Sequence, residues 1–170
     1  RMELTTQRKV VTYEPTKVKT GFLVLKSEPS NGQVFLTENG VENFVGTTTF
    51  QKKLPYGTYN YRIKKSLYHD AVGEVVVDGA KVNKTIVLNP AFGSLKVVTN
   101  PSGATVTIDG DERTFTTPCT IDKLLSGKYN VNILASQYAS QQHIVTIKDN
   151  EQTPLDVTLD ARFAQVTINT

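Results

Sequence analysis

Residues 28–40 read EPSNGQVFLTENG, and residues 100–110 read NPSGATVTIDG. A phrase of proline, serine, a turn residue and an alternating apolar run, written twice in one chain, points to folds built from a repeated unit, since like sequences tend to find like local solutions. At an offset of 72, Leu23 falls on Leu95, Pro29 on Pro101, Ser30 on Ser102, Val34 on Val106 and Leu36 on Ile108. Past a longer loop in the first copy the offset becomes 70. Thr47 then pairs with Thr117, Lys53-Leu54 with Lys123-Leu124, Gly57 with Gly127, Tyr59-Asn60 with Tyr129-Asn130, Ile63 with Ile133, Tyr68 with Tyr138 and Val75 with Val145. Leu88 matches Leu159 at an offset of 71, and Phe92 finds a third counterpart in Phe163. Four segments are therefore expected: residues 1–20, a strand (TKVKT) or linker from a preceding segment; a first copy over 21–91; a second over 92–161; and, over 162–170, the start of a truncated third.

Within each copy the apolar period is two, the spacing of a strand with one buried face. In GKYNVNILA, Tyr129, Val131 and Ile133 are expected to point inward while Asn130 and Asn132 face water; GTYNYRIKK repeats this with Tyr59, Tyr61 and Ile63. Asp78-Gly79 and Asp149-Asn150 separate apolar runs and predict tight hairpins with positive φ. No ten-residue stretch carries a helical stripe. About six short strands per copy predict an all-β chain of tandem small β-sandwiches. Proline lacks an N–H and fixes φ, so Pro29 and Pro101 are expected to end the first strand. Asn31 and Gly103 then tolerate the left-handed geometry of the elbow that follows. Short linkers, Asn89–Phe92 and Asp160–Phe163, leave little slack, and the repeated Phe is expected to pack between neighbouring copies in a stiff rod.

This order of residues resembles the PEGA domain, named for its Pro-Glu-Gly-Ala motif. The second copy carries it through Gly93, Leu95, Pro101-Ser102-Gly103-Ala104, Val106, Ile108-Asp109-Gly110, Thr117-Pro118, Leu124, Gly127, Tyr129 and Tyr138. In the first copy Asn31-Gly32 replaces Gly-Ala, and Thr48 stands where Pro118 does. The resemblance implies a compact Ig-like or prealbumin-like β-sandwich, found in tandem in bacterial and archaeal proteins of the cell envelope or surface. It also implies no enzymatic activity and motif residues (Pro29, Asn31, Gly57, Tyr68, Pro101, Gly103, Gly127, Tyr138) that serve turns and core.

The residues themselves offer little chemistry. Net charge is +3, but residues 92–161 carry 5 basic against 8 acidic residues, which disfavours a nucleic-acid partner needing a basic stripe throughout. The longest apolar runs, such as FLVL at 22–25, fall far below the eighteen or so residues of a membrane-spanning helix, and RMELTTQRKV lacks the apolar stretch of a secretory signal. Cys119, the single cysteine, reads as a small buried hydrophobe. His69 and His143 have no ligand at metal-site spacing and read as surface residues near a strand end. Asp109-Gly110-Asp111-Glu112 lacks the ligand ladder of a calcium loop, and Ser126 and Ser136 lack a nucleophile elbow. Neither a catalytic residue, a cofactor nor a metal is expected. Other domains of the same polypeptide are the expected partners, with an envelope glycan or protein as the alternative; Phe44 and Tyr56, present only in the first copy, are its candidate contacts.

Overall fold

The computed structural model describes residues 17–162. The expected opening strand of a third copy, with Phe163, and all but the end of the N-terminal segment lie outside the described residues. Among the described residues there are fourteen strands and no helix. The first module contains β1 (Thr20–Glu28), β2 (Gln33–Glu38), β3 (Val41–Thr47), β4 (Phe50–Pro55), β5 (Gly57–Lys64), β6 (Ala71–Val77) and β7 (Lys81–Val87). The second repeats the order with β8 (Phe92–Asn100), β9 (Thr105–Ile108), β10 (Thr114–Thr116), β11 (Cys119–Leu125), β12 (Gly127–Leu134), β13 (Gln141–Ile147) and β14 (Gln152–Thr158). Each module has seven strands where about six were expected, because an edge strand, β3 or the three-residue β10, follows the elbow strand.

Each module pairs a three-stranded with a four-stranded sheet: β4-β1-β7 with β3-β2-β5-β6, and β11-β8-β14 with β10-β9-β12-β13. Strands β1 and β8 are central in their sheets and run parallel to β7 and β14. Alternation accounts for the two interiors. Leu23, Leu25, Val34, Leu36, Ile63 and Val77 fill the first; Leu95, Val97, Val106, Ile121, Ile133 and Ile147 fill the second, every one of them at most 1% exposed. Tyr59 and Tyr129, expected inward, are only half-buried, because each sends its hydroxyl to a backbone carbonyl at the module end, Pro55 O at 2.7 Å and Leu125 O at 2.5 Å.

The predicted hairpins at Asp78-Gly79 and Asp149-Asn150 are not hairpins. Strand β6 belongs to the four-stranded sheet and β7 to the three-stranded one, and β13 and β14 divide in the same way, so both turns carry the chain across the sandwich edge. Alternation reports which face of a strand is buried but not which sheet owns it. Asn150 has the positive φ (58°) expected of its turn, whereas Asp78-Gly79 turns without one. The crossing explains Gly21 and Gly93 near the start of β1 and β8. A Cβ at Gly21 would collide with the Gly79 carbonyl, and one at Gly93 with the carbonyls of Lys148 and Glu151. Both glycines are there for close backbone approach.

The register read from the sequence also needs correction after the long loop. Phe50 stands opposite Leu25 as Cys119 stands opposite Val97, so here the offset is 69 and Thr48, not Thr47, is the counterpart of Thr117. Thr49 then takes the place of Pro118. The offset returns to 70 at Leu54 and Leu124 because β11 carries one extra residue, a bulge between Ile121 and Leu124 with Lys123 at φ 56°.

Candidate functional sites: the elbow, the module junction and an outward sheet face

The elbow is held from inside. Pro29 and Pro101 follow the last residues of β1 and β8, and Asn31 (φ 63°) and Gly103 (φ 90°) take the left-handed conformation. Ser27 Oγ donates to Pro29 O at 2.8 Å; since a hydroxyl has one proton, Thr48 must donate across the 2.5 Å to Ser27 Oγ, and Thr48 in turn accepts from Gly32 N–H at 2.9 Å. Ala104 N–H, Thr117, Thr99 and Pro101 O form the same relay in the second module, at 2.9, 2.5 and 2.8 Å. Ser27, Thr48, Thr99 and Thr117 are the buried polar side chains of the described residues. Sequence reasoning singled out the prolines and turn residues but passed over the hydroxyls. Their signal was a Ser or Thr two positions before each elbow proline.

Tyr68 and Tyr138 anchor the two module exits. Tyr68 bridges to Pro90 and Tyr138 to Ala161. At the first exit His69 N–H donates to Asn89 O (2.9 Å) and Ala91 N–H to Leu67 O (2.8 Å). At the second, Ala139 N–H donates to Asp160 O (2.8 Å) and Arg162 N–H to Gln137 O (2.7 Å). Leu67 and Gln137 both take positive φ, 71° and 68°. Across the first junction the second module closes on this anchored linker. Ser126 N–H donates to Ala91 O at 2.9 Å, and the Phe92 ring meets Tyr68 edge-on at 5.7 Å, so Phe92 packs between the copies. His69 Nε2 lies 2.6 Å from Asp149 Oδ2, and the Ser126 hydroxyl donates to Asp149 Oδ1. The Ser126 hydrogen bond, then His69, hold the Asp149 carboxyl below its ordinary range. Serine, histidine and aspartate meet here with the carboxylate in the middle. The serine proton goes to Asp149 and not to the imidazole, so this is a clasp between modules and lacks the hydroxyl-to-base contact of an activated nucleophile.

The other candidates are accounted for locally. His143 lies within β13, opposite Val131, where the first module has Gly73 opposite Tyr61. A Cβ at Gly73 would sit 2.5 Å from the Tyr61 hydroxyl oxygen, so the bulk carried by Tyr61 in one module is carried by His143 in the other. Asp111 turns back on Arg113, whose Nε and Nη2 reach its two oxygens at 3.0 and 2.6 Å; those hydrogen bonds pull its carboxyl down to about 2. Burial raises the Cys119 thiol and is the larger cause, ahead of a nearby carboxylate, of the raised Tyr59 and Tyr129 phenols. Gly57 and Gly127 open β5 and β12 at φ 159° and 150°. No group of three potential metal ligands converges among the described residues, and no helix there is long and apolar enough to cross a membrane.

Phe44 and Tyr56 are both exposed, but the fold separates them. Tyr56 sits between β4 and β5 at the module end, its N–H bonded to Lys19 O at 2.8 Å. Phe44 is on edge strand β3, where it meets Phe35 edge-on at 5.6 Å. Phe35 stands opposite Arg62, and Arg62 opposite Val72, so one cross-strand row of the outward face reads Phe44, Phe35, Arg62, Val72. Arg62 is clamped, Nε to Glu42 Oε1 at 3.0 Å and Nη1 to Asp70 Oδ2 at 3.2 Å. Phe35, Arg62 and Val72 escaped the sequence reading because their neighbourhood depends on strand pairing.

The family model of the PEGA domain matches residues 92–162, the second module, in agreement with the resemblance read from its motifs. No curated protein matches the sequence. Among solved structures, "The Bacillus anthracis TIE protein" is similar at a TM-score of 0.41 and 15% identity over 85% of this chain and 34% of that one. The chain thus spans about a third of the length of that protein, and the likeness is too low to bear on function.

Proposed function

We propose that the chain is a non-catalytic pair of PEGA-like modules, residues 21–91 and 92–161, that spaces or connects other parts of a cell-envelope or surface protein, with residues 162–170 opening a third. The observation that carries this reading is the repeated exit. A linker tied by two backbone hydrogen bonds leaves the first module as it leaves the second, so the chain exits both modules along the same anchored path. A polypeptide built for display gains from such a joint, because a linker held by its neighbours does not swing as a flexible chain would. The envelope or surface setting is supported by the match of the second module to a family generally found in periplasmic or surface proteins. Small-angle X-ray scattering of the chain tests the reading. A profile fitted by one inter-module orientation is expected, and a profile that requires freely jointed modules would overturn it.

A further inference from the structure

The two modules share a fold but present different outward faces. The counterparts of Phe35, Arg62 and Val72 are Thr107, Asn132 and Gln142. In the second module these polar groups are satisfied locally, Gln142 Nε2 donating to Asn132 Oδ1 at 3.1 Å and Asn132 Nδ2 to Asp109 Oδ1 at 2.8 Å. That cross-strand row is polar and satisfied within itself, although Leu134 and Ile144 stand exposed beside it. In the first module Phe44 and Val72 stand 58% and 63% exposed on either side of the clamped arginine. Clustered apolar groups on a solvent face mark a surface that something covers.

We propose that this outward face of the first module binds a neutral saccharide. A sugar ring has apolar C–H faces and a rim of hydroxyls that both donate and accept. The Phe44 ring offers a platform for the first, and a neighbouring depression of about 250 Å³, bounded by Thr37, Glu42, Asn60, Arg62 and Glu74, offers donors and acceptors for the second. Arg62 is oriented by Glu42 and Asp70 before any ligand arrives, which lowers the ordering cost of binding. Its remaining N–H groups and the second oxygen of each carboxylate keep capacity for hydroxyls.

Charge selects among ligands. The face holds Arg62 and Lys64, with Lys84 reaching its edge at Glu74 O (2.9 Å), against three carboxylates, Glu42, Asp70 and Glu74. Arg62 is neutralised in its clamp, and Lys64 Nζ lies over the Phe35 ring, 5.3 Å from its centre. An anionic glycan or a phosphate would meet no surplus of positive charge to hold it, whereas an uncharged sugar needs only hydrogen-bonding partners. Rigidity of the junction is a separate matter, so the two readings fail separately.

The test is an NMR titration of the ¹⁵N-labelled chain with cellohexaose, N-acetylchitohexaose and mannohexaose, with a heparin hexasaccharide as the anionic comparator. At least one neutral sugar is expected to shift the amides of Phe35, Phe44, Asn60 and Arg62 while Thr107, Asn132 and Gln142 hold still. Phe44→Ala, at an exposed position, is expected to weaken that binding about tenfold at unchanged melting temperature, and Arg62→Gln to weaken it as well. The proposal is overturned if no neutral sugar moves these amides at about 10 mM, beyond the millimolar range of weak binding. Shifts with heparin alone, an unchanged affinity in Phe44→Ala, or sugar-free shifts that grow with protein concentration and so reveal a second copy on this face would also overturn it.

Discussion

Thr117 Oγ1 stands 2.5 Å from Thr99 Oγ1 in the interior of the second module, the one proton of Thr117 directed to Thr99 and that of Thr99 to Pro101 O. Thr48 and Ser27 repeat the relation 2.5 Å apart in the first. Two β-strands that leave a sheet at a proline must bring polar backbone groups inside, and in each module two hydroxyls in series satisfy them.

Removing the relay should be costly. In Thr117→Val the Ala104 N–H loses its side-chain acceptor while the Thr99 hydroxyl loses a donor, and a buried polar group left unpaired costs about 1–3 kcal/mol. Urea unfolding is expected to show a loss of that size in Thr117→Val and in Thr48→Val, and a much smaller one in Thr47→Val, whose side chain is exposed.

That contrast shows what the sequence could and could not tell. Three threonines stand together at 47–49, so matching letters alone is indifferent to which of them faces Thr117; the hydrogen bonds decide. Period-two alternation was enough for the strands that fill each core though not for the extra edge strands β3 and β10, and the proline with its left-handed neighbour was enough for the elbow. Sheet membership was not legible, since a strand with one buried face looks the same in either sheet, and the hairpins read at Asp78 and Asp149 became crossings. The Phe35 and Arg62 face stayed hidden for a related reason. Neither residue is unusual alone, and only the pairing of β2 with β3 and β5 places them beside Phe44.

Two glycines of the second module should respond differently to a side chain. Gly103 has φ 90° and open space where a Cβ would go, so Gly103→Val meets backbone strain alone, about 1–3 kcal/mol. At Gly93 even alanine meets the carbonyls of Lys148 and Glu151, backbone atoms fixed by the crossing turn. Gly93→Ala is expected to lower the melting temperature further than Gly103→Val, and the reverse order would contradict the close-approach account.

The Asp111 loop supplies a pH test. Arg113 holds the folded carboxyl at about 2, below the ordinary value of 3.8, so the stabilisation it brings is complete above about pH 4 and is lost as pH falls through the folded pKa. A ¹³C-detected titration of the Asp111 carboxyl is expected to give a midpoint near 2, and Arg113→Ala should return it toward the ordinary range. An unshifted midpoint in the parent chain would remove the pairing from the account.

The clasp between modules should govern orientation more than stability. His69 and Asp149 are largely exposed, their side chains 56% and 40% accessible, and ion pairs in water add little to folding because solvent screens them and both side chains must be ordered. Asp149→Ala removes the shared acceptor of Ser126 and His69 together while leaving the linker hydrogen bonds and the Phe92–Tyr68 contact in place. The melting temperature is therefore expected to hold nearly constant. Residual dipolar couplings of the two modules, which fit a single alignment tensor if the junction is rigid, are expected to need two tensors in the variant. Lowering pH should act in the same direction in the parent chain. The Asp149 carboxyl titrates below its unfolded range, so its contribution to the clasp is lost as pH falls through the folded pKa. Couplings that fit one tensor in Asp149→Ala as well as in the parent would assign the orientation to the linker bonds and the aromatic contact alone.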